Sequence, residues 1–418
     1  MPRSRALILV TVVAALALAT AGCTSEAAPA STPAHTPSAS PLAPGDGVLR
    51  IGTTFPTTGP ADFIAPAQVA GVEAAIREIN EAGGVLGKPV EVFHRDSGDA
   101  SNDILEKSFA DLVAKKVDVL IGPSSSVLAE RLLPKALEAN IPIISPAATA
   151  PKGAAASYFR TIPSAALQGA ALAEIIGKGA AADVALIYFD DATGNAIKAT
   201  LTAGLKAAKG KLITAQKFSS ATTDVAPIVA EVSKAAPAAV VLVSPFSAMD
   251  QNKAIIAALA AGNLAGAKLW LTSQNLADYS QALAAGVLKD ANGILEGAEP
   301  DAEFVKRVKA VGPTVTDFRY AAEAYDATML AALAAIVADN DSGEAVSARL
   351  RDVSRGGIKC MSFGECLDVL KTQTDIDYDG ISGPLALDAA GDPSPAHYGI
   401  YRYDAENKYA RVDGVVAG

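Results

Sequence analysis

Residues Gly122 to Ser126, GPSSS, place three hydroxyls in a row between an apolar run, VDVLI, and a helical pattern, VLAERLLPKALEAN. Two chemistries suit such a row at the mouth of a strand: a serine nucleophile, or a set of donors for an anion. A nucleophile needs a base in reach, most often a histidine oriented by a carboxylate. The 418-residue chain has three histidines, His35, His94 and His397. None falls in the segments that follow its strands. No G-x-S-x-G elbow, Walker loop or dinucleotide fingerprint follows a strand either. A serine–lysine pair would have to use Lys135 or Lys152, and nothing marks either as buried. Hydrolysis through Ser125 or Ser126 is therefore disfavoured. Anion binding needs only what is present, because the backbone amides at a helix N-terminus point outward at the positive end of the dipole. Helix capping would account for one serine but not for three.

The elements that must position these residues are legible from Val48 onward. Short apolar runs (VLRIGTTF, KPVEVFHRD, VDVLIGP, IPIISPA) alternate with helical patterns such as QVAGVEAAIREINEAGG and NDILEKSFADLVAKK. A second set runs from LQGAALAEIIGKG through ADVALIYFDD, KLITAQKF and AAVVLVSPF to AKLWLTSQ. Strands that are apolar throughout need cover on both faces, so the pattern predicts an α/β protein of two doubly wound lobes with parallel sheets. Ligands of such sheets sit beyond the carboxyl ends of the strands. Those ends read TTFPTTGP, RDSGD, GPSSS, SPAATAP, YFDDATGN, SPFSAMD and TSQN, all suited to hydrogen-bonding a small solute. Among their acids, Asp96, Asp99 and Asp250 are expected to be solvated or to fix turns. Asp190 and Asp191 end a strand on the cleft side. Tyr320, Tyr325 and Asp326 lie in a long helical pattern expected to be mostly core, and Trp270 is expected to pack within its strand.

The net charge of −10 leaves no cationic footprint for nucleic acid. Basic residues beyond the N-terminus form no block. There, Arg3 and Arg5 precede ALILVTVVAALALA and then TAGC, which reads as a signal peptide over 1–22 followed by a lipoprotein cysteine, Cys23. Two or more acyl chains on that residue give stable membrane anchoring. Residues 23–47, rich in Ala, Pro, Ser and Thr, read as a disordered tether. Export places Cys360 and Cys366, in CMSFGEC, in an oxidising compartment, where so close a pair predicts a disulfide. With three histidines and no ligand cluster, neither a metal nor any other cofactor is expected.

The segments GPADFIAPAQVAGVEAAIREINEAGGVLGKPV, RDSGD, GPSSS followed by SPAAT, and YDGISGPLALDAAGDPSPAHYGIYRYD resemble the leucine/isoleucine/valine-binding proteins over about residues 48 to 410. The resemblance implies a type I periplasmic binding fold whose lobes, 48–166 with 296–395 and 167–295 with 396–418, are joined by a three-segment hinge. It implies that Ser126 donates to a ligand carboxylate, with Ser125 beside it, that the main chain of Ala147 meets the ligand, and that Thr149 adds a hydroxyl. Thr193 stands where the family has a tyrosine. Gln274 stands where an acid commonly meets the ligand ammonium. Ile64 replaces an aromatic residue at the cleft entrance, with Phe63 next to it, and Asp191 is an alternative acid. The function implied is that of a monomeric lipoprotein that captures an amino-acid-like, carboxylate or amide solute for an ABC permease. The alternative is a sensor of the same fold that signals to a membrane receptor or regulator.

Overall fold

The computed structural model describes residues 43–150, 157–178 and 182–417. The signal segment, Cys23, His35 and Lys152 lie outside the described residues. Of the segment 23–47, residues 45 and 47 are fastened to the body, since Gly45 donates its N–H to Asn340 Oδ1 at 3.0 Å and Gly47 to Asp341 Oδ1 at 2.9 Å.

Strand and helix alternate through β1 (Arg50–Phe55), α1 (Ala65–Glu81), β2 (Glu91–Asp96), α2 (Ile104–Ala114), β3 (Val119–Ile121), α3 (Ser126–Glu138), β4 (Ile143–Ser145) and β5 (Tyr158–Arg160). The five strands pair in the order β2-β1-β3-β4-β5, all parallel. Residues 161–164 lead to the second layer: α4 (Ala165–Gly177), β6 (Asp183–Phe189), α5 (Ala192–Ala207), β7 (Lys211–Phe218), α6 (Ala226–Ala235), β8 (Ala239–Val243), α7 (Met249–Ala261), β9 (Leu269–Leu271) and β10 (Asn292–Glu296). The chain then returns to the first layer with α8 (Ala302–Val311), α9 (Ala321–Ala338), α10 (Gly343–Arg349), β11 (Ile358–Cys360), α11 (Phe363–Leu370), β12 (Ile376–Gly380) and β13 (Gly383–Pro384). It ends in β14 (Ala396–Tyr403) and β15 (Tyr409–Ala417). The second sheet runs β15-β14-β10-β9-β8-β6-β7. Its last two strands are antiparallel, β14 to β10 and β15 to β14, so this sheet is mixed where the apolar runs predict parallel pairing.

The first lobe is organised around α9, whose residues from Ala321 to Ala335 are all buried. Alanines let it lie close to α1. A Cβ on Gly71 of α1 would stand 2.2 Å from the Ala321 carbonyl oxygen, so glycine is required for that approach. Asp326, inside α9, accepts from Tyr378, from the Ile381 N–H, and from both the N–H and hydroxyl of Ser382, which fixes the chain after β12. Cys360 and Cys366 are joined in a disulfide that ties β11 to α11.

At the hinge, Arg160 donates through Nε to Asp392 Oδ1 at 2.8 Å, and both residues are buried. This ion pair ties the segment leaving β5 to the segment approaching β14.

Candidate functional site

Gly122 follows β3 with φ +104°, a conformation that favours glycine, and a Cβ there would lie 2.5 Å from the Thr54 carbonyl oxygen. The turn it makes separates the fates of the three serines. Ser124 is buried and donates to Gln68 Oε1 at 2.8 Å. Ser125, extended at φ −96° and ψ 130°, is the residue before α3, and its side chain makes no capping bond. Ser126 opens α3 with its hydroxyl turned inward, where it accepts the Ala150 N–H at 3.1 Å. The segment after β4 is fixed by Ser145, which donates to the Pro123 carbonyl and accepts the Ala148 N–H. Ala147 and Thr149 are thereby both buried beside α3.

The second lobe meets this group through the start of α5. Thr193 lies 3.3 Å from the Ser126 hydroxyl and 3.4 Å from that of Thr149. Three hydroxyls thus converge where the first turns of α3 and α5 approach each other, and the first N–H groups of a helix have no intrahelical acceptor. Asp191 is not a free acid in this group. It caps α5 by accepting the Gly194 N–H at 2.7 Å, and burial raises its carboxyl above the ordinary range. Asp190 pairs with Lys217 at 2.8 Å on the surface. Asp96 accepts from Thr57, Thr58 and Gly98, the turn-fixing role expected of it. Half-buried Gln274 lines a narrow space of about 10 Å³ with Asp191, Thr193, Gln168 and Ser273.

Of the two residues expected at the cleft entrance, only Phe63 is exposed. Ile64 is buried against Ala147 and Phe246, whereas Phe63 is 37% exposed and meets Phe246 edge-on at 5.1 Å. The Arg319 guanidinium lies 5.0 Å from the Phe63 ring centre and donates to the Leu276 carbonyl at 2.8 Å. Phe63 and Arg319 of one lobe therefore touch Phe246 and Leu276 of the other.

Sequence reasoning missed a polar group at the hinge. Glu296 ends β10 and accepts Gln168 Nε2 at 2.5 Å and the Ser273 hydroxyl at 2.9 Å, both on Oε1. Glu323, in the first turn of α9, is equally buried. Burial pushes Glu296 up to about 7 and Glu323 up to about 8. Glu296 closes a strand end, the position by which the other cleft residues were found.

Two α/β lobes, joined by three chain segments and presenting hydroxyls and amides at their strand ends, define a type I periplasmic binding fold. The chain belongs to the periplasmic binding protein family, whose model matches residues 48–362. It is 27% identical over 366 residues to the chemotactic signal transduction system substrate-binding protein BasB of Halobacterium salinarum, covering 82% of this chain and 84% of that protein. Among solved structures, the branched-chain amino acid transporter substrate-binding protein LivJ of Streptococcus pneumoniae, in complex with isoleucine, superposes with a TM-score of 0.66 at 20% identity, covering 89% of this chain and 100% of that one. A solute-binding protein of an ABC transporter from R. palustris, in complex with benzoate, gives 0.65 at 19% identity over 89% of this chain and 98% of that one. At these identities the two structures establish the fold.

Proposed function

We propose that the protein is the extracytoplasmic capture lipoprotein of an ABC importer, a binder and not an enzyme, that closes on a small amino-acid-like, carboxylate or amide solute and presents it to a permease. The convergence of Ser126, Thr149 and Thr193 from two lobes carries this reading. A solute held by all three contacts both lobes only when they are closed, which gives it the differential affinity that drives closure. Isoleucine and benzoate, bound by the two structural relatives, share a carboxylate attached to an apolar body, which fits an acid end at Ser126. Ser125, Ala147, Gln274, Phe63, Ile64 and Asp191 complete the surroundings, the last through its cap on α5. Because Thr193 and Gln274 are neutral, a small acid or amide is expected to outrank leucine.

The test is a thermal-shift screen of amino acids, short and aromatic acids, amides and polyols, followed by titration of the best solute into Ser126→Ala. Loss of a hydrogen bond to a charged group weakens binding by about 1.5–3 kcal/mol, or roughly 10- to 100-fold. Unchanged affinity in the variant would leave Ser126 only its structural bond to the Ala150 N–H. A sensor function is supported by the chemotactic relative alone, and a neighbouring permease and ATPase gene pair would decide for transport.

A further inference from the structure

We propose that the open cavity beside the hinge, lined by Glu296 and Glu323, binds an organic cation with N–H donors, an alkylammonium or a guanidinium. The proposal does not rest on the acid end of the cleft. Both side chains are 4% exposed. Glu296 spends only Oε1 on Gln168 and Ser273, and its buried Oε2 has no partner. Among the described residues, no hydrogen bond from another residue reaches the Glu323 carboxyl, whose one donor is its own backbone N–H. Gly297 makes room for it, since a Cβ there would stand 2.1 Å from Glu323 Oε1.

A buried carboxyl oxygen left without a partner is costly, and folded proteins pair such atoms. The cavity they line has a volume of about 530 Å³, enough for an alkyl or guanidino group. Its own guanidinium, Arg319, is already committed to Asp317 and the Leu276 carbonyl, and Lys408 acts on Asp278. Tyr320 and Tyr401 also line the cavity, and their rings suit a cation and its alkyl stem. No group of three or more acidic, histidine or cysteine residues able to hold a metal occurs among the described residues, which points to an organic ion. The cation could be the far end of the cleft solute or a separate molecule. Gln168 and Ser273 bond to Glu296 and also line the space beside Thr193.

Calorimetric titration of the full chain at pH 8.5, where both carboxyls are largely ionised, with butylammonium chloride and methylguanidinium chloride tests the site. Saturable binding is expected for both, at least tenfold weaker in Glu296→Gln and in Glu323→Gln. Butan-1-ol and tetramethylammonium chloride, which lack the charge and the N–H donors respectively, should not bind. That contrast is read on wild type alone, so it decides even if a variant fails to fold. No saturable binding in wild type, equal binding of tetramethylammonium, or folded glutamine variants within twofold of wild type would each overturn the proposal. A final arm titrates 4-aminobutanoate into Ser126→Ala. Weakening there identifies the cation as one end of the cleft solute; unchanged affinity identifies a separate molecule, and either upholds the site.

Discussion

Glu296 and Glu323 give the protein a pH dependence opposite in sign to that of surface ion pairs. Burial holds their carboxyls at about 7 and about 8, so between pH 4.5 and 8 the folded state keeps protons that the unfolded chain releases. Stability is therefore fully present below the unfolded value and is lost as pH rises through 7 and 8. At about 1.4 kcal/mol per pKa unit, Glu296 alone accounts for roughly 3 kcal/mol. Denaturant midpoints between pH 5 and 8.5 should fall with rising pH, and Glu296→Gln should flatten that slope; an identical slope in the variant would place the effect elsewhere. These two residues show where sequence reasoning stops. Ser126, Thr149 and Thr193, which the structure brings together, were legible as members of the segments that follow strands and were singled out by the family resemblance. Glu323 sits among alanines in a helix that reads as core, and its exposure to a cavity depends on Gly297, a neighbour only in three dimensions. Asp191 was legible as a strand-end acid, but only the geometry turns it from a ligand candidate into a cap.

At the scale of elements, the packing of α9 on α1 and the freedom of α11 make contrasting predictions for glycine. Gly71→Ala forces a methyl against the Ala321 carbonyl and should cost about 1–3 kcal/mol, the usual range for overpacking. Gly364 in α11 has nothing within 4 Å of its would-be Cβ, so Gly364→Ala should stabilise by about 0.4–1 kcal/mol through the unfolded chain. Chemical denaturation of both variants checks the pair, and destabilisation of both would mean that helix propensity rather than fit governs α11. The parallel strands were legible as apolar runs needing cover on two faces. The antiparallel β14 and β15 were not read from apolar runs, because both strands are partly polar and exposed; their pairing follows from the short turn between Tyr403 and Tyr409, too short for a parallel crossover.

At the scale of the molecule, the hinge depends on the buried Arg160–Asp392 pair, which joins two of the three connecting segments. Removing one partner of such a pair leaves an uncompensated charge, so Asp392→Ala should lose about 3–5 kcal/mol. A smaller loss by thermal or chemical unfolding would mean that water reaches the hinge. The proposed anchor makes a separate prediction: Cys23→Ser should release the protein to the medium while solute affinity stays within twofold, and membrane retention of the variant would remove the lipid anchor from the reading. The burial of α9 has one more consequence, for the journey that precedes folding. Its 18 residues, with mean hydropathy 1.4, are long and apolar enough to cross a bilayer. A protein destined for the far side of a membrane is threaded through a translocation channel before any core exists to hide such a segment. Glu323 and Asp326 lie within it, and an aspartate drawn to the bilayer centre costs about 3 kcal/mol. If the chain is exported unfolded, as the proposed signal segment implies, the two buried acids of α9 thus also oppose the lateral escape of its oiliest helix into lipid, and so help the chain to arrive as a passenger and not a stranded membrane span.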